Sequence, residues 1–183
     1  AAFAIAPESE ASALDSRVSE RDVYFPGTEA LADKEMRIVA LGTGMPAASK
    51  GQAGASFLVQ LGNGENFIFD IGTHAFSNLS KLQLSWPEVD KVFISHLHFD
   101  HIGDLGALLI AGVSHGRNTP LRIWGPNGAG EGLGIEHAVR HLREAYRWEF
   151  KSKRGKVPWD GYRTIVSEFE YNLSLIHISE PTS

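Results

Sequence analysis

Three imidazoles and one carboxylate fall within six residues, His96-Leu97-His98-Phe99-Asp100-His101. Neutral imidazole nitrogen and carboxylate oxygen suit Zn2+, with Fe or Mn as alternatives. His96 and His98 are two apart, so on an extended segment they point the same way and can grip one metal. Asp100 and His101 sit where the chain turns toward a helix and can face a second metal. A lone histidine is more often a packing or surface residue. Four ligand-type residues at one strand end are not explained that way.

The neighbouring segments must aim these groups. KVFIS (91–95), after the Trp86-Pro87 break, is apolar and β-branched, as a buried strand should be. GDLGALLIAGVSHG (103–116) follows as a helix ending at a glycine, with His115 as a C-terminal cap. Upstream, MRIVAL (36–41) predicts a strand, with Gly42, Thr43 and Gly44 as a tight turn. ASFLVQL (55–61) and NFIFDI (66–71) predict a hairpin around Gly62, Asn63 and Gly64. THAFSNLSKL (73–82) predicts a short helix capped by Thr73. Downstream come a strand at 120–124, a GPNG turn, a Gly-rich loop, a helix near 134–149, and one or two strands between 163 and 178. Strands alternating with helices behind an opening hairpin indicate a layered α/β fold, without internal repeats.

The 183 residues, 43% apolar, suit one compact domain or a large piece of one. The absence of Cys excludes disulfides, thiolate-bound zinc, iron–sulfur clusters and thiol nucleophiles from this chain. A net charge of -5 argues against a uniformly basic nucleic-acid binder. The charge is uneven. Residues 117–156 hold nine Lys/Arg against four Asp/Glu, a local +5, while the rest of the chain carries -10. Such a strip could dock an RNA backbone; the alternative is a solvated helix with pairs such as Arg140–Glu144. No run of about 18 apolar residues occurs, so no membrane span is expected.

The expected organisation is a polar extension at 1–35, a folded domain at 36–172, and a tail at 173–183. The extension reads either as a trimmed leader, with Ala2, Phe3 and Ala4 resembling a cleavage site, or as a plain tail. Localisation therefore stays open between cytoplasmic and exported (periplasmic). The string SLIHISEPTS resembles a translated adapter-type tail, which would end native sequence near Asn172; the alternative is a genuine edge strand.

HLHFDH fits the HxHxDH signature of metallo-β-lactamase-fold hydrolases, and the chain resembles that superfamily beyond the motif. The LGTG turn at 41–44, the Asp70-Ile71-Gly72 turn after a hairpin, and Gly103-Asp104-Leu105 opening the next helix all match. The resemblance covers about 36–172. It implies an α/β fold of the four-layer αββα type, with the first half and part of the second present. It also implies a dinuclear site with two zinc ions when complete. His96 and His98 would bind the first metal and Asp100 and His101 the second. Asp70 would stand behind the ligands and steady their loop, and the alternative for it is a turn cap. Asp100 would also act catalytically, orienting the attacking hydroxide. A third His on the first metal, a bridging Asp and a final His are expected farther along in the family. His137, His141 and His177 are the remaining histidine candidates, and none matches convincingly. His137 and His141 are four apart on a helix expected to face solvent. His74 is read as a helix-start residue, with a pocket role as the alternative.

The LGTGMP opening resembles the ribonuclease Z and arylsulfatase-like branch. WGPNG (124–128) and Tyr146, Trp148 and Phe150 resemble a group close to ribonuclease Z that hydrolyses β-lactams. The expected function is metal-dependent hydrolysis of an ester, lactam or phosphodiester bond. The alternatives are a tRNA 3′-processing endonuclease and a non-catalytic fragment. A small-molecule substrate is the first expectation, RNA the second, and oligomerisation stays open. With half the sandwich missing, the inner sheet face should be exposed.

Overall fold

The computed structural model describes residues 29–45, 51–82 and 84–171. The readings placed on the first 28 residues, on His177 and on the tail lie outside them. Six strands form one sheet in sequential order: β1 Met36–Gly42, β2 Ser56–Leu61, β3 Asn66–Phe69, β4 Lys91–Phe93, β5 Leu121–Pro126 and β6 Thr164–Phe169. β1, β2 and β3 are an antiparallel meander, and β3 to β6 run parallel. The β2–β3 turn uses Gly64 at φ 91°, where glycine carries no Cβ penalty. Each parallel step needs a crossover, and helices supply most of them: α1 Ala75–Leu79, α2 Phe99–Ile102, α3 Leu105–Ser114, α4 Ile135–Ala145 and α5 Arg147–Ser152.

Alternation along the strands decides where the core sits. Leu58, Ile68, Val92 and Ile123 lie in register and are buried with Leu79, Leu105, Leu108, Leu109, Ile135 and Val139 beneath the helices. Phe57, Phe69, Phe93 and Trp124 line up on the opposite face. Phe93 stacks between Phe69, at 5.1 Å, and Trp124, at 4.6 Å. Phe57, Phe69, Met36, Ile38 and Ile165 are all exposed. Among the described residues, two layers of the expected four are present, and the sheet shows the bare inner face that the sequence predicted. No helix there is long and apolar enough to cross a membrane.

Local differences from expectation have physical causes. Thr73 does not cap α1. His74 occupies that position at φ 68° without a side-chain cap, and Phe76 N–H donates instead to Asp104 Oδ2 at 3.0 Å, from 28 residues away. The helix expected over 134–149 breaks at Tyr146, whose ring fills a notch left by Gly106 of α3. Strand pairing after β4 is short, although Ile94 N–H still donates to Trp124 O at 2.7 Å. His115 ends α3 as expected: its Nδ1–H donates to Ala111 O at 2.7 Å and its ring packs 4.6 Å from Trp86.

Arg117, from the basic segment, is fully buried. It donates to Leu108 O at 2.9 Å, Leu109 O at 2.8 Å and Gly161 O at 3.1 Å, tying α3 to the 3-10 turn Trp159–Tyr162. Gly112 admits it, since a Cβ there would strike the guanidinium. Burial pushes its pKa down to about 10. Replacing Arg117 by Met strips three carbonyls of a charged donor at once. The substitution should destabilise the fold by about 3 kcal/mol. Urea unfolding of Arg117→Met checks this, and an unchanged midpoint contradicts it.

Candidate metal centre

β3 and β4 are parallel neighbours, so their C-terminal ends open on the same rim of the sheet. Asp70 leaves β3 in the left-handed region at φ 57°. Its backbone is held on both sides: Asp70 N–H donates to Phe93 O at 2.8 Å, and Ser56 Oγ–H donates to Asp70 O at 2.8 Å. That posture aims the carboxylate across to the segment after β4. Oδ1 accepts Ser95 N–H at 2.7 Å, and Oδ2 lies 2.7 Å from both Ser95 Oγ and His101 Nδ1.

Past Ser95 the chain stays extended. Leu97 turns inward against the core. His96 and His98 turn outward with their rings 4.8 Å apart. One turn of helix then folds His101 back, to 3.9 Å from the His96 ring. His101 N–H and Ile102 N–H donate to His98 O at 2.9 and 3.1 Å, which fixes that turn. Asp100 is buried on the far side, with Oδ2 3.5 Å from His101 Nε2. All four residues singled out from the sequence are thus brought together, with Asp70 behind them. They are neither splayed apart nor sealed in apolar packing.

Two glycines permit the closeness. Gly72 N–H donates to Ala55 O at 3.0 Å and Ile71 N–H to His101 O at 2.7 Å, so this turn lies directly under the helix bearing Asp100. A Cβ on Gly72 or Gly54 would run into the Asp100 carbonyl oxygen. Gly54 and Ser95 were not identified from the sequence. Their signals were a glycine just before the second strand and a hydroxyl directly before His96.

The electrostatics favour a cation. Asp100 Oδ1 is buried without a hydrogen-bond partner, and an orphaned carboxylate oxygen is costly unless something positive meets it. Burial holds the His96 imidazole below its ordinary 6.5, helped by His101 and His98 and opposed by Asp70 and Asp100. It is therefore neutral near pH 7, the form that donates a lone pair to a metal. The donor chemistry fits a divalent ion such as zinc. The geometry is partial: among the described residues, no three His, Asp or Glu groups close on one point tightly enough to hold an ion by themselves.

Other candidates fall elsewhere. His74 is exposed. His137 and His141 lie 4.2 Å apart by ring centres on α4. His137 borders a cleft of about 630 Å³ with Asn127, Glu131, Glu136, Arg140 and Glu168, which shares no residue with the donor cluster. Of the aromatic trio, Phe150 is core and meets Tyr162 edge-on at 5.1 Å, while Trp148 stands 78% exposed. The basic strip is thinner than its composition suggests. Arg117 is buried, Arg143 is engaged by Tyr162 O, and Lys153 pairs with Glu149 at 2.7 Å. The expected Arg140–Glu144 pairing is replaced: Arg140 donates to His137 Nδ1 at 3.1 Å, and Glu144 faces Arg147 at 3.9 Å.

In the metal-free protein, His96 should titrate with a midpoint below 6.5. The unfolded chain takes up this proton first as pH falls, so the contribution of His96 to stability declines below that value. A histidine-resolved NMR titration checks this; a midpoint at or above 6.5 contradicts it.

Residues 36–131 match the family described as Anti-Pycsar protein Apyc1. A ribonuclease Z of Listeria monocytogenes serovar 1/2a is 30% identical over 134 residues, covering 72% of this chain and 44% of that protein. The short form of human tRNase Z superposes with a TM-score of 0.55 at 25% identity, over 72% of this chain and 43% of that one. The metallo-β-lactamase-fold protein YhfI of Bacillus subtilis shares the fold, with a TM-score of 0.51 at 23% identity over 75% of this chain and 48% of its own. The chain spans less than half the length of each of these three relatives. By the family match over residues 36–131 and the likeness to these relatives, the chain belongs to the Apyc1 family of the metallo-β-lactamase fold, on the branch shared with ribonuclease Z.

Proposed function

We propose that this chain supplies the metal-binding half of a hydrolase that cleaves phosphodiester bonds in RNA, in the manner of tRNA 3′-end processing. The observation that carries the reading is the gathering of His96, His98 and His101 at one sheet rim beside Asp100, whose Oδ2 faces His101 Nε2 at 3.5 Å and whose Oδ1 is buried without a partner. His96 and His98 would hold one divalent ion and Asp100 and His101 a second, with zinc best suited to this donor set. Zinc bound there would supply Lewis acidity and a water of lowered pKa. The chain's own groups do the rest. Asp70 holds His101 by Nδ1 with Nε2 toward Asp100, and Asp100 would orient the attacking water. Exposed Arg122, Lys151 and Lys156 are cations available to a phosphate backbone.

Relatives named ribonuclease Z and tRNase Z favour a phosphodiester over a lactam. A non-catalytic role stays as the second reading, because three donors do not close on one point among the described residues.

Zinc content per chain and turnover of bis(p-nitrophenyl) phosphate, a tRNA precursor and nitrocefin separate these readings. Zinc bound to this chain is expected, with cleavage of the two phosphodiesters by the complete hydrolase that contains it. The double substitution His96→Ala, His98→Ala should weaken zinc binding about 10-fold or more. Nitrocefin hydrolysis without phosphodiester cleavage points to a lactamase. Zinc binding indifferent to both histidines, or absent, leaves the non-catalytic reading.

A further inference from the structure

We propose that Ser95 is a positioning residue that fixes the tautomer of His96, so that one carboxylate, Asp70, orients two imidazoles at once. The importance of that tautomer for metal binding rests on the function proposed above; the tautomer itself does not.

The argument counts protons. Ser95 Oγ lies 2.7 Å from Asp70 Oδ2 and 3.0 Å from His96 Nδ1. A hydroxyl has one proton to give and lone pairs to receive. An ionised carboxylate has none to give. Asp70 already accepts Ser95 N–H on Oδ1, and its Oδ2 also faces His101 Nδ1 at 2.7 Å. Were the Ser95 hydroxyl to donate to His96 instead, two lone pairs would face each other at the Ser95–Asp70 contact. The low-energy arrangement has Ser95 Oγ–H donating to Asp70 and His96 Nδ1–H donating to Ser95. His96 then carries its lone pair on Nε2.

The same carboxylate receives His101 Nδ1–H directly, which leaves His101 Nε2 bare as well. That nitrogen faces Asp100 Oδ2 at 3.5 Å. Asp70 thus acts on one imidazole directly and on the other through a hydroxyl one residue away from it. Ser95 can relay in this way because its N–H and its hydroxyl both meet Asp70, on Oδ1 and Oδ2.

The test reads ring nitrogens in the metal-free, 15N-labelled chain by long-range proton–nitrogen correlation. His96 should show the Nδ1–H form in the wild type and in Ser95→Thr, which keeps the hydroxyl. Ser95→Ala keeps the backbone anchor and loses the relay, so His96 should shift toward the Nε2–H form that free imidazole prefers. Zinc affinity should fall about 10-fold in Ser95→Ala and recover in Ser95→Thr. If Ser95→Ala fails to fold, Ser95→Cys, a poor acceptor, gives the same readout. Protonated Nε2 in the wild type, or an unchanged His96 tautomer in Ser95→Ala, overturns the proposal. A tautomer that responds to Ser95 in a chain that binds no zinc upholds the relay and overturns the metal reading instead.

Discussion

Asp70 adopts a left-handed backbone that costs a non-glycine residue about 1–2 kcal/mol. Its carboxylate takes in return three hydrogen bonds, from Ser95 N–H, Ser95 Oγ–H and His101 Nδ1–H. Hydrogen bonds to a charged group contribute about 1.5–3 kcal/mol each. The hydrogen bonds outweigh the strain, so the posture holds only while the loop after β4 is present to use it. Sheet and donor loop therefore define one another. Without Asp70 the loop loses its anchor, and without the loop the Asp70 conformation has nothing to favour it.

The rest of the architecture serves that joint. β3 and β4 must be parallel neighbours for Asp70 and Ser95 to leave the sheet side by side. Gly54 and Gly72 lack a Cβ because the Asp100 carbonyl lies where one would go. Asp104, just beyond the donor loop, reaches back to Phe76 N–H and holds α1 against the same turn. Farther out, the buried Arg117 binds α3 to the segment before β6, which keeps the helix behind the loop seated on the sheet. Deep packing and rim chemistry are linked through α3.

What could be read in the sequence follows the range of the forces involved. Strands announced themselves through local alternation, and the donor set through a six-residue motif. The bare aromatic face followed from the resemblance, which implies a four-layer sandwich wider than the two layers seen among the described residues. Most of the failures involve partners distant in sequence. Thr73 looked like a cap because capping is usually local, whereas the working cap is Asp104. Arg117 looked like surface charge, yet its acceptors include a carbonyl 44 residues away. The helix over 134–149 looked continuous because nothing local says that Tyr146 finds a notch at Gly106. Ser95 was passed over because serine beside histidine becomes informative only once Asp70 is known to lie within reach of both.

The parallel half of the sheet has one further implication. Strands β3 to β6 all point the same way, so the exits of β5 and β6, near Asn127 and Glu168, open on the rim that carries the histidines. Insertions in the β5 exit would lengthen a connection that already runs over the surface, without touching a strand or the helix-covered core. Such a scaffold has evolutionary latitude. Selectivity can be rewritten by growing or trimming its rim while the platform that presents the imidazoles is inherited intact.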